Sequence, residues 1–378
     1  MRVFVPKERH PEERRVAATP ETVKKLVRSG FECVVESGAG TDSDLPDDAY
    51  RKVGATIDTS GTAWREADVV LKVSPPTAEE AAKSRPQTVI IGFFEPQQNV
   101  GVVSTLAKNN VTTLAMELIP RITRAQSMDA LSSQASIGGY KAVVLAASRL
   151  GRYFPLLMTA AGTVPPAKVV ILGAGVAGLQ ALATAKRLGA VVEVSDIRPA
   201  VKEQIESLGG KFIDLPEQVD AEDAGGYAKE MGEDFLQRQR EILTQHLATA
   251  NVVITTAQIP GKKAPMLMSR QMVEAMHPGA IIVDMAAASG GNCELTELGE
   301  EVVHNGVLIL GPASLPATMA HDASLLYSRN VLALVEHMLT DGKLEIDPQD
   351  DVLSGALLTH AGAILHAPTS ALVEEVSS

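Results

Sequence analysis

Gly173-Ala174-Gly175-Val176-Ala177-Gly178 has the spacing G-x-G-x-x-G and directly follows the apolar run Val169-Val170-Ile171-Leu172. That pattern suits a phosphate cradle. Gly173 permits the tight turn after a strand, Gly175 lets the backbone approach a pyrophosphate, and Gly178 lets the next helix pack close to the strand. The pyrophosphate then meets the helix N-terminus, where unbonded N–H groups and the helix dipole favour an anion. With 30 glycines in 378 residues, chance alone produces this spacing now and then, so the context decides. A helical stretch follows, then a second apolar run, Ala190 to Ser195, ending at Asp196, 23 positions after Gly173. A carboxylate there accepts bonds from ribose hydroxyls and repels a 2′-phosphate. Arg198 points weakly the other way. We weight Asp196 above Arg198 and expect NAD(H) rather than NADP(H). The plainer alternative is an α/β turn that holds no ligand.

Three further segments carry residue types that do chemistry. Pro120 to Gln134 crowds two arginines, two glutamines, an aspartate and three serines among few apolar residues. Arg121 and Asp129 can pair there, and Gln126 offers both a donor and an acceptor, as the carboxamide of nicotinamide requires. The alternative is a polar helix start capped by Ser127 or Asp129. Asp223 to Gly232 breaks the α/β rhythm; Gly225-Gly226 supply a hinge, and Tyr227 and Met231 give apolar weight to a lid that excludes water. An ordinary surface loop fits it equally well. Thr255 to Lys262 leaves a strand at its C-terminal end, the end that faces ligands in such sheets; an ordinary strand exit is the alternative.

The eight histidines (His10, His246, His277, His304, His321, His337, His360 and His366) have no i, i+4 partner and no carboxylate at metal spacing, so no metal centre is expected. None lies in the four segments. No G-x-S-x-G motif or cysteine nucleophile setting occurs. A dehydrogenase of alcohols or hydroxy acids needs a general acid or base beside its nicotinamide. Lys72, at a strand end, lacks an obvious proton-handling partner.

These segments need a scaffold of about two domains, given 378 residues that are 45 % hydrophobic. Arg2 to Val5, Phe31 to Glu36, Ala67 to Val73, Thr88 to Phe94 and Val111 to Met116 read as strands, with a helix from Pro20 to Gly30. Lys211 to Ile213, Asn251 to Thr255, Ala280 to Asp284 and Val307 to Leu310 read as strands of a second unit. Ser132 to Arg149 reads as a helix joining the units, broken only at Gly138-Gly139. Ser324 to Leu339 reads as a helix, with strand-like pieces near Leu357 and Ile364 that return to the first unit. The expected fold is α/β: two Rossmann-like, doubly wound parallel-sheet domains separated by a cleft. Residues 1–130 with 320–378 form one domain, and 131–319, the NAD(H)-binding domain, is inserted in it. A net charge of −12 disfavours nucleic acid and anionic lipid as partners. The only two cysteines, Cys33 and Cys293, lie far apart in sequence and form no metal spacing, which suits a reducing compartment. The N-terminus lacks a signal-peptide core, and no apolar run has the length of a membrane span.

The sequence resembles, over essentially its whole length, the NAD(H)-binding component (domain I) of the proton-translocating nicotinamide nucleotide transhydrogenases, in the form made as a separate soluble alpha subunit. The resemblance rests on Val5-Pro6-Lys7-Glu8 with Arg15-Val16-Ala17 and Thr19-Pro20, on Pro120 to Gln134, and on Thr159 to Ala167. It continues through Ala185 to Ala190, Gly225 to Gly232, Ile259-Pro260-Gly261-Lys262, Gly290-Gly291-Asn292-Cys293 and Gly362 to His366. It implies that Arg121, Gln126 and Asp129, with Ile122 and Thr123, organise the nicotinamide and the partner's approach. Ser132 would contact the nicotinamide end. Ala174, Gly175 and Val176 match the pyrophosphate turn, and Asp196, Ile197 and Arg198 the adenosine ribose contacts. Gly226 and Gln239 flank a mobile loop that carries Tyr227. Gln258 stands where the family has an apolar residue beside the nucleotide, which leaves a main-chain contact.

The resemblance further implies a homodimer and direct hydride transfer between NADH and NADP⁺ held on another subunit. A membrane-spanning subunit would couple the transfer to proton translocation. The chain itself would be cytoplasmic, peripheral at the inner face of the membrane through those subunits. The competing resemblance is to alanine dehydrogenase, a soluble NAD-dependent amino-acid dehydrogenase on the same two-domain plan. That enzyme needs a histidine after its fourth N-terminal strand, where this chain has Phe93-Phe94-Glu95-Pro96-Gln97-Gln98-Asn99, and an aspartate where it has Ala286-Ala287-Ala288-Ser289. Its substrate-type Arg15 and Lys72 remain.

Overall fold

A computed structural model describes residues 1–215, 233–259 and 261–377. The chain divides into two compact units, Met1–Gln134 with Ala317–Ser378, and Ala135–Pro316. It starts with six strands: β1 (Arg2–Val5), β2 (Glu32–Glu36), β3 (Thr56–Asp58), β4 (Val69–Leu71), β5 (Val89–Gly92) and β6 (Thr112–Ala115). They lie parallel in the order β3-β2-β1-β4-β5-β6. The first helix, Pro20–Arg28, has Pro20 in its first turn, and the Thr22 hydroxyl accepts from the Thr19 N–H at 3.0 Å. Gly30, at φ +89°, ends it, as helix C-termini favour.

The second unit contributes β7 (Leu157–Thr159), β8 (Gly162–Val164), β9 (Lys168–Leu172), β10 (Val191–Ser195), β11 (Lys211–Phe212), β12 (Val252–Thr255), β13 (Ile281–Asp284), β14 (Glu301–His304) and β15 (Val307–Leu310). β7 and β8 form a separate hairpin. The rest form one sheet, ordered β11-β10-β9-β12-β13-β15-β14, parallel except at β14. The chain then adds a short hairpin, β16 (Leu339–Thr340) with β17 (Lys343–Leu344), to the first unit. β18 (Leu357–His360) pairs antiparallel with β6, and β19 (Ala363–Ile364) closes that edge. The expected parallel sheets therefore each carry an antiparallel edge.

Alternation along each strand explains why the apolar runs are continuous. Val3 and Val5 enter one core while Phe4 enters the core on the opposite face. Val169 and Ile171 do the same against Val170 and Leu172. A parallel sheet covered on both faces has no solvent side to fill with polar residues. Each such fully buried Val, Ile or Leu contributes about 1.5–3 kcal/mol relative to an exposed one. Both cysteines are buried in these cores, and burial pushes the thiol of Cys33 up to about 12 and that of Cys293 up to about 11.

The joining helix, Ala130–Arg149, is unbroken, contrary to the expected interruption at Gly138-Gly139. The glycines serve a close crossing. A Cβ on Gly139 would lie 2.1 Å from the Ala177 carbonyl oxygen, and one on Gly138 would lie 2.9 Å from the Met285 methyl group. Among the described residues no helix is long and apolar enough to cross a membrane.

Candidate functional site

β9, at the switch point of its sheet, is flanked by β10 on one side and β12 on the other. Ligands of open α/β sheets bind at that reversal, beyond the strand C-termini. The glycine turn leaves β9 there and feeds the helix Val176–Arg187. Gly173 has φ +108°, and a Cβ on it would lie 2.6 Å from the Thr256 hydroxyl. A Cβ on Gly178 would fall 1.9 Å from the Gly173 carbonyl oxygen. Gly175 differs from both: a Cβ there meets nothing within 4 Å, and the residue is exposed. The chain itself does not require that glycine, whereas a molecule lying against the turn would. Gly175 also caps the helix without any side-chain hydrogen bond, and Val176 beside it is exposed. Such a terminus offers backbone N–H groups to an anion.

Asp196 directly follows β10 and is 9 % exposed. One carboxylate oxygen accepts the Ala174 N–H at 2.7 Å, so it braces the turn itself. The other accepts the backbone N–H of Arg198 at 2.8 Å and its Nε at 3.0 Å. Arg198, weighed above as a receptor for a 2′-phosphate, is folded onto Asp196. Ile197 between them is half-buried.

Asp284 and Asn292 hold the neighbouring strand exits, and sequence reasoning passed over both. Asp284, fully buried at the end of β13, accepts the Thr255 and Thr296 hydroxyls at 2.8 and 2.7 Å. It also accepts the N–H groups of Ala286, Asn292 and Cys293. Gly290 and Gly291, at φ +96° and +78°, turn the chain so that the last two reach it. The Asn292 side chain, also fully buried, accepts the Ala257 N–H at 3.1 Å and donates to the carbonyls of Ala257 and Pro265. Thr256 donates to the Gly173 carbonyl at 3.1 Å, which ties this exit to the glycine turn. The position of Asp284, at a strand end like Asp196, was the available signal. Gln258 is exposed and donates to the Met285 carbonyl at 3.2 Å. Gln239 is buried on the helix Glu233–Leu247. Gly226 and Tyr227, with the rest of the Asp223 to Gly232 segment, lie outside the described residues.

In the first unit, the segment Pro120 to Gln134 is two-sided. Ala125, Met128 and Ala130 plug into the core. Arg121, Ile122, Thr123 and Gln126 are exposed on a short turn of 3₁₀ helix, Thr123–Met128, and the residues leading into it. Asp129 does not take up the expected pairing with Arg121. Its oxygens accept the Ser132 N–H at 2.8 Å and the Ser132 hydroxyl at 2.6 Å, capping the joining helix. Arg124 binds Asp350 and Asp351.

The Arg15 and Lys72 side chains are buried and occupied. Lys72 lies 3.1 Å from Glu8 and 3.3 Å from Glu80, and the Tyr327 hydroxyl donates to its carbonyl. Arg15 donates to Glu13 at 2.6 and 2.7 Å and to Gln134 at 2.9 Å. Burial pushes the Glu8 carboxyl up, against the pull of Lys72. Burial also pushes Glu13 up, but its bonds from Arg15 hold it below the ordinary range. Nearby, Glu117 accepts the N–H groups of Phe94 and Glu95 at 2.8 and 2.7 Å. Its second oxygen is buried without a partner, and burial pushes the carboxyl up to about 7.

Comparison with known proteins places this arrangement. Residues 4–138 match the N-terminal domain, and residues 142–367 the C-terminal domain, of the alanine dehydrogenase/PNT family. The chain is 50 % identical to the first part of the NAD(P) transhydrogenase alpha subunit of Rhodospirillum rubrum, over 97 % of this chain and 98 % of that one. Its fold matches the crystal structure of a transhydrogenase from Sinorhizobium meliloti with a TM-score of 0.88 and 45 % identity, covering 96 % of this chain and all of the other. It is 30 % identical to alanine dehydrogenase of Mycobacterium tuberculosis, over 97 % of this chain and 95 % of that one. The chain belongs to the alanine dehydrogenase/PNT family and stands within it among the NAD(P) transhydrogenase alpha subunits.

Proposed function

We propose that this chain is the NAD(H)-binding component of a proton-translocating NAD(P)⁺ transhydrogenase, active with NADP(H) held on another subunit. The observation that carries the reading is Gly175: an open glycine at the N-cap of a helix that has no side-chain cap, at the sheet's switch point, 2 residues past Gly173 with its positive φ. Ala174, Gly175 and Val176 take the pyrophosphate, and Asp196, Ile197 and Arg198 the adenosine ribose. Asp196 favours NAD(H) because its carboxylate repels a 2′-phosphate. Gln239 and the main chain at Gln258, with Gly226 and Tyr227, complete the nucleotide contacts. Arg121, Ile122, Thr123, Gln126, Asp129 and Ser132 address the nicotinamide.

When bound, the dinucleotide supplies a nicotinamide carbon that gives or takes a hydride, and transfer between two such carbons calls for no acid or base. The chain's share is to hold one ring within roughly 3–3.5 Å of the other and to exclude water. Side chains at Phe93, Phe94, Ala286, Ala287 and Ala288 are consistent with that, since none handles a proton. The alternative, an alanine-dehydrogenase-like amino-acid oxidation, would also need Arg15 and Lys72 for a substrate carboxylate, and both are engaged by buried glutamates. A homodimer is supported by apolar side chains left exposed at and just before the β7–β8 hairpin, Tyr153, Leu156 and Met158 at 60, 52 and 77 %. The remaining partner is a membrane-spanning subunit, which would keep the chain peripheral at the cytoplasmic face.

Mixing this chain with a separately made NADP(H)-binding component and NADH tests the reading. Rapid transfer between the nucleotides is expected, with little turnover by either protein alone. Reduction of pyruvate plus ammonia by the chain alone, at ordinary dehydrogenase rates, would refute it.

A further inference from the structure

The exposed polar residues of the 121–132 segment stand on and beside a short 3₁₀ turn, which by itself fixes side chains poorly. The Asp129 carboxylate ties to Ser132, three residues away. Ala125 and Met128 seat the segment in the core and Arg124 pairs with Asp350 and Asp351, but one side chain from far along the sequence holds it on both sides of Asp129. Asn330, 8 % exposed, lies within the helix Ala320–His337. Its amide nitrogen donates to the Ser127 carbonyl at 2.8 Å, and its amide oxygen accepts the Ser133 hydroxyl at 2.7 Å. The orientation is set by chemistry, because a carbonyl only accepts and must therefore face the amide nitrogen. Ser127 adjoins Gln126, and Ser133 adjoins Ser132. One amide thus clamps the segment on both sides of Asp129. Downstream, the Gln134 amide donates to the Ala323 carbonyl of the same helix at 3.1 Å, which holds the first turn of the joining helix but does not reach back to Gln126.

We propose that Asn330 is a positioning residue for hydride transfer: through Ser127 and Ser133 it sets where Gln126 and Ser132 stand, without touching either nucleotide. This rests on the reading that the 121–132 segment addresses the nicotinamide. A buried amide is costly unless its donors and acceptor are bonded, and both ends of this one are spent on that segment. Loss of the clamp leaves the nucleotide-binding turn at Gly173 to Gly178 intact, so affinity and transfer rate separate.

The test uses the full chain with a separately made NADP(H)-binding component. NADH affinity is measured by titration of the chain alone, and transfer by single-turnover mixing. Asn330→Ala is expected to hold NADH affinity within about threefold while slowing transfer on the order of 100-fold, the scale of a 1 Å misplacement. Ser133→Ala, which removes one bond and leaves the donor to Ser127, is expected to slow transfer by a smaller factor; it also carries the test if Asn330→Ala does not fold. Gln126→Ala serves as the reference. If Gln126→Ala slows transfer and neither Asn330→Ala nor Ser133→Ala does, the positioning role is overturned and the reading of the segment stands. If none of the three slows transfer, both fall. Equal losses of affinity and rate in Asn330→Ala would also overturn it, since that is what general loosening of the fold produces.

Discussion

The two units order their core strands alike, β3-β2-β1-β4-β5-β6 in one and β11-β10-β9-β12-β13-β15 in the other, yet treat the switch point in opposite ways. In the second unit the first strand of that order's centre, β9, ends in a glycine turn with an exposed Gly175. In the first unit the chain leaving β1 carries Glu8, which accepts the Val73 N–H at 2.6 Å beyond β4 and holds buried Lys72. Side chains of the first unit's own chain fill the position that the second leaves for a ligand. A shared strand order therefore supplies a place where backbone ends converge, and the residues after the central strand decide whether it is a receptor or a brace.

Breaking the brace gives the largest expected effect. Lys72→Met leaves Glu8 buried without its cation and Glu80 with only the Arg9 Nε at 3.9 Å, and should lower stability by about 3–5 kcal/mol in denaturant unfolding. NADH affinity of the folded fraction should be unchanged. A loss under about 1 kcal/mol would mean that the cluster does not close this unit's switch point as a charged brace.

The same unit should carry a pH signature close to neutrality. Burial pushes Glu117 from 4.5 up to about 7. The folded state thus binds this proton more tightly than the unfolded state. Its contribution is complete below about pH 4.5 and is lost as pH rises through 7, up to about 3 kcal/mol. Glu117→Gln keeps an acceptor for Phe94 and Glu95 and should be more stable than the parent at pH 8, by more than at pH 5. Parallel stability curves for the two proteins would remove Glu117 as the source.

In the nucleotide unit, two glycines of one motif should part company. Gly178→Ala forces a Cβ against the Gly173 carbonyl and should lower stability by about 1–3 kcal/mol, as overpacking does. Gly175→Ala meets nothing in the chain and should stay within ~0.5 kcal/mol in stability, while weakening NADH binding. If Gly175→Ala instead unfolds the protein and binds NADH normally once folded, the turn is a structural device like Glu8. Among the binding effects, Asp196→Ala should give a modest one: about tenfold weaker NADH binding, roughly 1.4 kcal/mol, with some NADPH admitted. An unchanged nucleotide preference would detach Asp196 from the ribose.

The elements most legible in the sequence were those with both faces buried, because a strand such as Val169 to Leu172 has no polar side to blur its outline. β3 and β14 were not read. Both are short edge strands, and Glu301 to His304 alternates exposed with half-buried side chains. The β7–β8 hairpin escaped for the same reason. Gly138-Gly139 looked like a break because a sequence does not reveal that another backbone passes within reach. The glycine turn and Asp196 were visible since their partners lie within one βαβ unit. Asn330, 203 positions from Ser127, and Asn292, 35 from Ala257, were invisible because their meaning is tertiary. For Asp129, the choice between pairing with Arg121 and capping a helix turned on a geometry that spacing leaves open.

The burial of Cys33 and Cys293 has a practical consequence. With thiols held near 12 and 11 and away from solvent, neither offers a thiolate at neutral pH to an alkylating dye. A cysteine placed on the surface away from the β7–β8 hairpin, for instance at the 55 % exposed Leu298 (Leu298→Cys), would then be the sole reactive sulfur among the three. It would take a fluorophore at one site without prior removal of the native pair, so that assembly with other subunits becomes observable by anisotropy on the otherwise natural chain.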